Sequence, residues 1–108
     1  MTTMQAVRCE IVRWVADEPQ PGWVEARLTD ASDRSLSFFD KPPIFTDAAI
    51  HPSTQFPVPG LIHCVVIGST IDGSEPKLVE VRLLDGASSD DGLDRFWVRR
   101  ESLVSVGE

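Results

Sequence analysis

Proline placement constrains this chain more than any other feature. Five of its eight prolines fall between residues 40 and 60, in "DKPPIFTDAAIHPSTQFPVPG". Proline has no amide hydrogen and a fixed φ, so neither a continuous strand nor a long helix runs through such a segment. The chain is thereby cut into an N-terminal and a C-terminal group of short elements. One helical turn near "TDAAI", capped by Thr46 or Asp47, is the most ordered structure expected there.

On either side of that segment the apolar residues repeat every second position, the period of strands with one buried face. Val7, Cys9 and Ile11 alternate on one face, and Val12 and Trp14 then take over on the other parity. Such a switch within one strand predicts a β-bulge or sharp bend. "ADEPQPG" is an acidic loop, and "WVEARLTD" places Val24, Ala26 and Leu28 inward with Trp23, Glu25 and Arg27 outward. "ASDR" turns the chain and "SLSFF" sets Leu36 and Phe38 inward, which completes an antiparallel meander. Beyond the prolines, "LIHCVVIGST" is apolar nearly throughout, which predicts cover on both faces. "DGSEP" is a turn signal, and "KLVEVRLLD" alternates with Val79, Val81 and Leu83 inward. "GASSDDGLD" reads as a flexible acidic loop, and "RFWVRRESLVSV" as a strand, a polar turn and a last strand.

The expected fold is therefore all-β, a small antiparallel barrel of five to six strands in one domain over residues 1–108. A chain of 108 residues buries enough surface for one core without metal or disulfide staples. Two barrel types fit. An OB-like barrel carries a helix between its third and fourth strands, whereas an SH3-like barrel enters its last strand through a tight turn, as "RRES" supplies.

Charge and composition narrow the partners. The net charge of −7 repels phosphate backbones and anionic lipid and favours a basic partner. The arginines at 8, 13, 27, 34, 82 and 95 are scattered, and only Arg99 and Arg100 adjoin, so no nucleic-acid footprint is present. Arg8, Arg27 and Arg82 share strands with Glu10, Glu25 and Glu80, a pattern of ion pairing on a solvated face. No apolar run reaches the length of a membrane span, and the N-terminus lacks a basic region followed by an apolar run. The expectation is a cytoplasmic protein in which Cys9 and Cys64 are reduced, buried thiols.

Chemistry-bearing patterns are sparse. His63 and Cys64 are strand neighbours and point to opposite faces, and His51 precedes Pro52 in a loop. No C-x-x-C or H-x-x-x-H spacing exists, so no metal site or cofactor is expected. "DGASSDDGLDRF" departs from a calcium loop at its third, fifth, sixth and last positions. No nucleophile motif or phosphate loop is present, and no residue is assigned a catalytic role.

The candidate binding residues are Trp14, Trp23, Phe39, Asp40, Lys41 and His63. Trp14 and Trp23 flank the acidic loop, and an outward Trp23 either anchors an interface or packs under the prolines. Phe39, Asp40 and Lys41 precede Pro42-Pro43, either as a ligand-facing rim or as a strand terminator, with Ile44 and Phe45 plugging one barrel end. The expected function is a non-catalytic binding module for another protein or a second copy. The alternatives are an immunity-type inhibitor of a basic toxin, and a small-molecule barrel or enzyme at the 40–45 end.

"VRWVADEPQPGWVEARLTD", "FFDKPPIF" and "FPVPG" resemble segments of a group of small bacterial hypothetical proteins, over most of the chain. The resemblance implies no catalytic or binding residue, because that group carries no assigned activity.

Overall fold

The computed structural model describes residues 4–72 and 75–106. Seven strands run in chain order, with no α-helix among the described residues: β1 (Met4–Ala16), β2 (Trp23–Thr29), β3 (Ser35–Asp40), β4 (Val58–Asp72), β5 (Glu75–Leu83), β6 (Arg95–Arg99) and β7 (Leu103–Val106). They form one antiparallel sheet in the order β3–β2–β1–β4–β5–β6, and β7 returns to pair with the start of β1. The sheet curls into a half-barrel around one core, and the fold class is all-β as the alternation predicts.

β1 makes the curl possible. Its first half pairs with β4 from Gln5–Cys64 to Ile11–Val58, and its second half pairs with β2. Between Ile11 and Arg13 the ladder to β2 slips by one residue, at the position where the apolar parity switches, and it slips again between Trp14 and Ala16. These bulges bend the strand so that it serves both halves of the sheet. Inward positions then converge: Val7, Ile11, Val24, Phe38, Ile62, Val81 and Val98 are all buried, and Phe38 meets Phe96 with ring centroids 6.3 Å apart.

The tight turn before the last strand exists, as a 3-10 turn over Arg100–Ser102. With β7 returning to β1, the path β1–β4–β5–β6–β7 is the SH3-like arrangement, and β2 and β3 are a hairpin inserted in its first connection. The connection where an OB-like barrel has its helix holds only a 3-10 turn, Pro42–Ile44. The helical turn therefore sits one step earlier than expected at "TDAAI". Pro42-Pro43 pre-set φ for that first turn, whereas the Thr46 hydroxyl accepts the Ala48 N–H (3.0 Å) in a local loop.

Four further expectations need correction. Proline does enter a strand: Pro59 lies inside β4 opposite Glu10. Two residues on, the Leu61 N–H points away from β1 to the Phe45 carbonyl (2.9 Å), so the donor that Pro59 lacks is on the side that β1 does not use. β4 is not covered throughout, since Val66 and Ile67 are each 43% exposed beyond the reach of β1. Glu25, placed on the solvated face, is only 3% exposed. The loop over residues 86–94 is anchored rather than free: Ala87 and Ser89 are buried, and the Asp90 N–H donates to the Ser37 carbonyl of β3 (2.8 Å). The turn signal "DGSEP" lies partly outside the described residues.

Candidate functional site

The six candidate binding residues do not converge. Trp14 is half-buried and folds its indole over Gly22, while its Nε1–H donates to Asp17 Oδ1 (2.9 Å). That arrangement closes the acidic loop on itself and makes Trp14 a structural residue. Trp23, on the outward parity of its strand, is half-buried opposite Ala16. Asp40 ends β3 and accepts the N–H of Lys41 (2.8 Å), as a strand terminator does, and Lys41 is exposed beside it.

Phe39 belongs to a different cluster. Arg13, Glu25 and Phe39 form one row across β1, β2 and β3. Arg13 Nε reaches Glu25 Oε1 at 2.6 Å, and Arg27 Nε reaches Oε2 at 2.9 Å. The Arg13 guanidinium lies 6.0 Å from the centroid of the Phe39 ring. Burial pushes the Glu25 carboxyl up, but hydrogen bonds from Arg27, Arg13 and Ser37 outweigh it and hold the group below its ordinary value. This cluster ties β1, β2 and β3 together. Its ion pairs run across β1–β2 and along β2, which sequence spacing alone did not separate.

His63 lines a concavity. A pocket of about 620 Å³ is bounded by Pro43–Asp47, Arg8, Glu10, Leu61 and His63. Phe45 is 3% exposed and joins the core, while Ile44 is half-buried, so the apolar plug after Pro42-Pro43 is present. His63 Nδ1 lies 3.7 Å from Asp85 Oδ2, with both side chains well exposed. Cys9 also borders this pocket, but burial, and then the Glu10 charge, push its thiol up to about 12. Burial likewise pushes Cys64 up to about 11. Both cysteines are free, and near neutral pH they are thiols rather than nucleophilic thiolates. Among the described residues, no three His, Cys, Asp or Glu side chains gather as a metal would need.

A larger concavity involves none of the six. A groove of about 920 Å³, the barrel mouth, opens between the middle of β4, the first half of β5, the 3-10 turn over Arg100–Ser102 and β7. Register makes its floor. Ser105, Gln5 and Cys64 form one cross-strand row, Leu103, Val7 and Ile62 the next, and Val66 pairs with the buried Val81. Gln5, Val66, Val79, Leu103 and Ser105 therefore face into the mouth. Its rim carries Lys77, Arg99, Arg100 and Glu101. Arg99 Nη2 also meets Asp33 Oδ1 at 2.9 Å. The sequence holds one trace of this site, the adjoining Arg99 and Arg100 in "RRES".

No protein-family model, no curated protein and no solved structure matches this chain. No helix among the described residues is long and apolar enough to cross a membrane.

Proposed function

We propose that this chain is a non-catalytic interaction module that engages another protein through the barrel mouth. The observation that carries the reading is the composition of that mouth: an aliphatic floor of Val66, Val79 and Leu103 beside the exposed Arg100. Such a surface binds by burial of its aliphatic part and by polar contacts at its edge. The chemistry elsewhere supports a non-catalytic role, since Cys9 is held as a thiol and His63 lies 3.7 Å from an exposed Asp85. The two buried, free thiols fit a reducing compartment, and we place the protein in the cytoplasm on that ground.

The test is to pan a random peptide library on the immobilised protein and compare enriched binders on an Arg100→Glu variant. Arg100 is exposed on the 3-10 turn, so the charge reversal leaves the core intact. Enriched peptides that lose binding on the variant support the reading. No enrichment, or binding indifferent to Arg100, overturns it. A second reading, a small-molecule site, rests on the pocket beside Pro43–Asp47. Ligands that raise the melting temperature and lose that effect in His63→Ala would favour it.

A further inference from the structure

β3 and β6 end the strand order of the sheet and do not pair with each other among the described residues. They nevertheless lie side by side. The turn before β3 reaches β6 through the Ala31 N–H, which donates to the Trp97 carbonyl. The loop before β6 reaches β3 through the Asp90 N–H, which donates to the Ser37 carbonyl, and both bonds measure 2.8 Å. Asp33 Oδ1 meets Arg99 Nη2 at 2.9 Å at one end of this seam, and the Phe38 and Phe96 rings pack beneath it. Each loop thus crosses to the edge of the opposite strand, and the barrel closes here without a ladder. On the other side of each strand a ladder does run, from Val24–Asp40 to Thr29–Ser35 between β2 and β3, and from Leu78–Arg99 to Arg82–Arg95 between β5 and β6.

Both loops hold their shape without help from the seam. In the first, the buried Asp30 carboxylate accepts the N–H groups of Ser32 and Arg34, and the Asp30 N–H donates to the Arg34 carbonyl (2.9 Å). In the second, the N–H of the buried Ser89 donates to the Leu93 carbonyl (2.8 Å), and its hydroxyl accepts the Leu93 N–H (3.1 Å). Two preformed pieces that meet through isolated main-chain bonds and one ion pair part more readily than strands in a ladder, and they part together. We infer that the β3–β6 seam is a joint of this barrel, which opens locally as one unit while the rest of the sheet stays formed, with Asp33–Arg99 as its latch. The Phe38–Phe96 contact, at 6.3 Å between centroids, favours the closed form. The latch faces water, with the Asp33 side chain 76% and the Arg99 side chain 45% exposed, so dissolved ions weaken it. Arg99 also lines the barrel mouth, which sets the latch at the edge of the proposed interaction surface. The opening itself does not depend on that reading.

Amide hydrogen exchange, read residue by residue by NMR in increasing urea, tests the joint. The Ala31 and Asp90 amides should share one opening constant with a shallow urea dependence, and should exchange faster than the amides of the β1–β4 ladder. The Arg34 and Leu93 amides, bonded within their own loops, should be better protected than either. Asp33→Asn removes the charge and keeps a residue type that tolerates the φ of 64° at this position. It should speed exchange at Ala31 and Asp90 by the same factor, about two- to fivefold, as loss of an exposed ion pair does. Sodium chloride at about 0.5 M should act in the same direction on the unaltered protein and have little further effect on the variant. Circular dichroism checks that the variant is folded, and the urea and salt measurements on the unaltered protein stand without it. Faster exchange at Ala31 alone would show two separate contacts and overturn the joint. Exchange of both amides only together with the β1–β4 ladder, at the full urea dependence of unfolding, would overturn it as well. Exchange unchanged by Asp33→Asn at both amides, or a salt response that persists in that variant, would overturn the latch.

Discussion

Arg13 and Glu25 stand opposite each other across β1 and β2, with Arg13 Nε 2.6 Å from Glu25 Oε1, at the first register slip of β1. Arg13 is 55% exposed and Glu25 is 3% exposed, so one partner shields the other from water. The pair lies on the face away from the core. It is completed by Arg27 on the second carboxylate oxygen and by Phe39 in the same row.

Removing the buried acceptor should be costly. Glu25→Ala is expected to lower stability by about 1.5–3 kcal/mol, the range for hydrogen bonds to charged groups. Arg27→Ala should lose less, because an exposed partner is partly replaced by water. Urea unfolding of the two variants at neutral pH checks the order.

Acid should act through the same group and through Asp30. Asp30 is 2% exposed in the β2–β3 turn, where it accepts the N–H groups of Ser32 and Arg34 and the Arg34 guanidinium. Burial raises its pKa, but those hydrogen bonds outweigh burial and lower it, as at Glu25. Both folded-state pKa values lie below the ordinary 4.5 and 3.8. Each contribution to stability is thus complete above the ordinary value and is lost as pH falls through the lowered one. The protein should lose stability progressively below about pH 4.5, and Glu25→Gln should lose less over that interval than the wild type. Denaturant midpoints across the acid range measure it.

Phe45 separates the plug from the strand terminator before it. Phe45 is buried in the core and its carbonyl accepts the Leu61 N–H, so Phe45→Ala should cost about 3–5 kcal/mol. Asp40→Ala and Lys41→Ala should each shift stability by less than about 0.5 kcal/mol, as surface changes do. A silent Phe45→Ala would mean that the segment does not seal the barrel end.

Gly22 has φ +105° and lies beneath the Trp14 indole, into which an added Cβ would collide. Gly22→Ala should therefore cost more than backbone strain alone, about 2–4 kcal/mol, and should alter tryptophan fluorescence. Gly86 and Gly92 also have positive φ but open space around them, so their alanine variants should lose only about 1–2 kcal/mol.

Cys9 and Cys64 should resist alkylation in the native protein at pH 8 and react fully once unfolded. Burial both blocks access and raises their pKa values to about 12 and about 11. Rapid native labelling of either thiol would contradict the placement of that residue in the core.

Local chemistry determined a good part of this molecule. Alternation of Val24, Ala26 and Leu28, or of Val79, Val81 and Leu83, names its own inward face, because strand period and side-chain polarity are both written along the chain. The parity switch after Ile11 marked its bulge, and Pro42-Pro43 marked the end of β3, for equally local reasons. The tertiary structure decided what depends on unequal lengths and on neighbours far apart in sequence. Whether Glu25 is solvated depends on Arg13 and Phe39, which arrive from other strands. β4 continues beyond Cys64 beside β5, and only that register sets Val66 opposite the buried Val81. The return of β7 to β1 then brings Leu103 and Ser105 to the same mouth as Val66 and Val79. Polarity and period are properties of each residue in order, whereas a groove is made where separate strands end, and no local signal fixes where one strand stops relative to another.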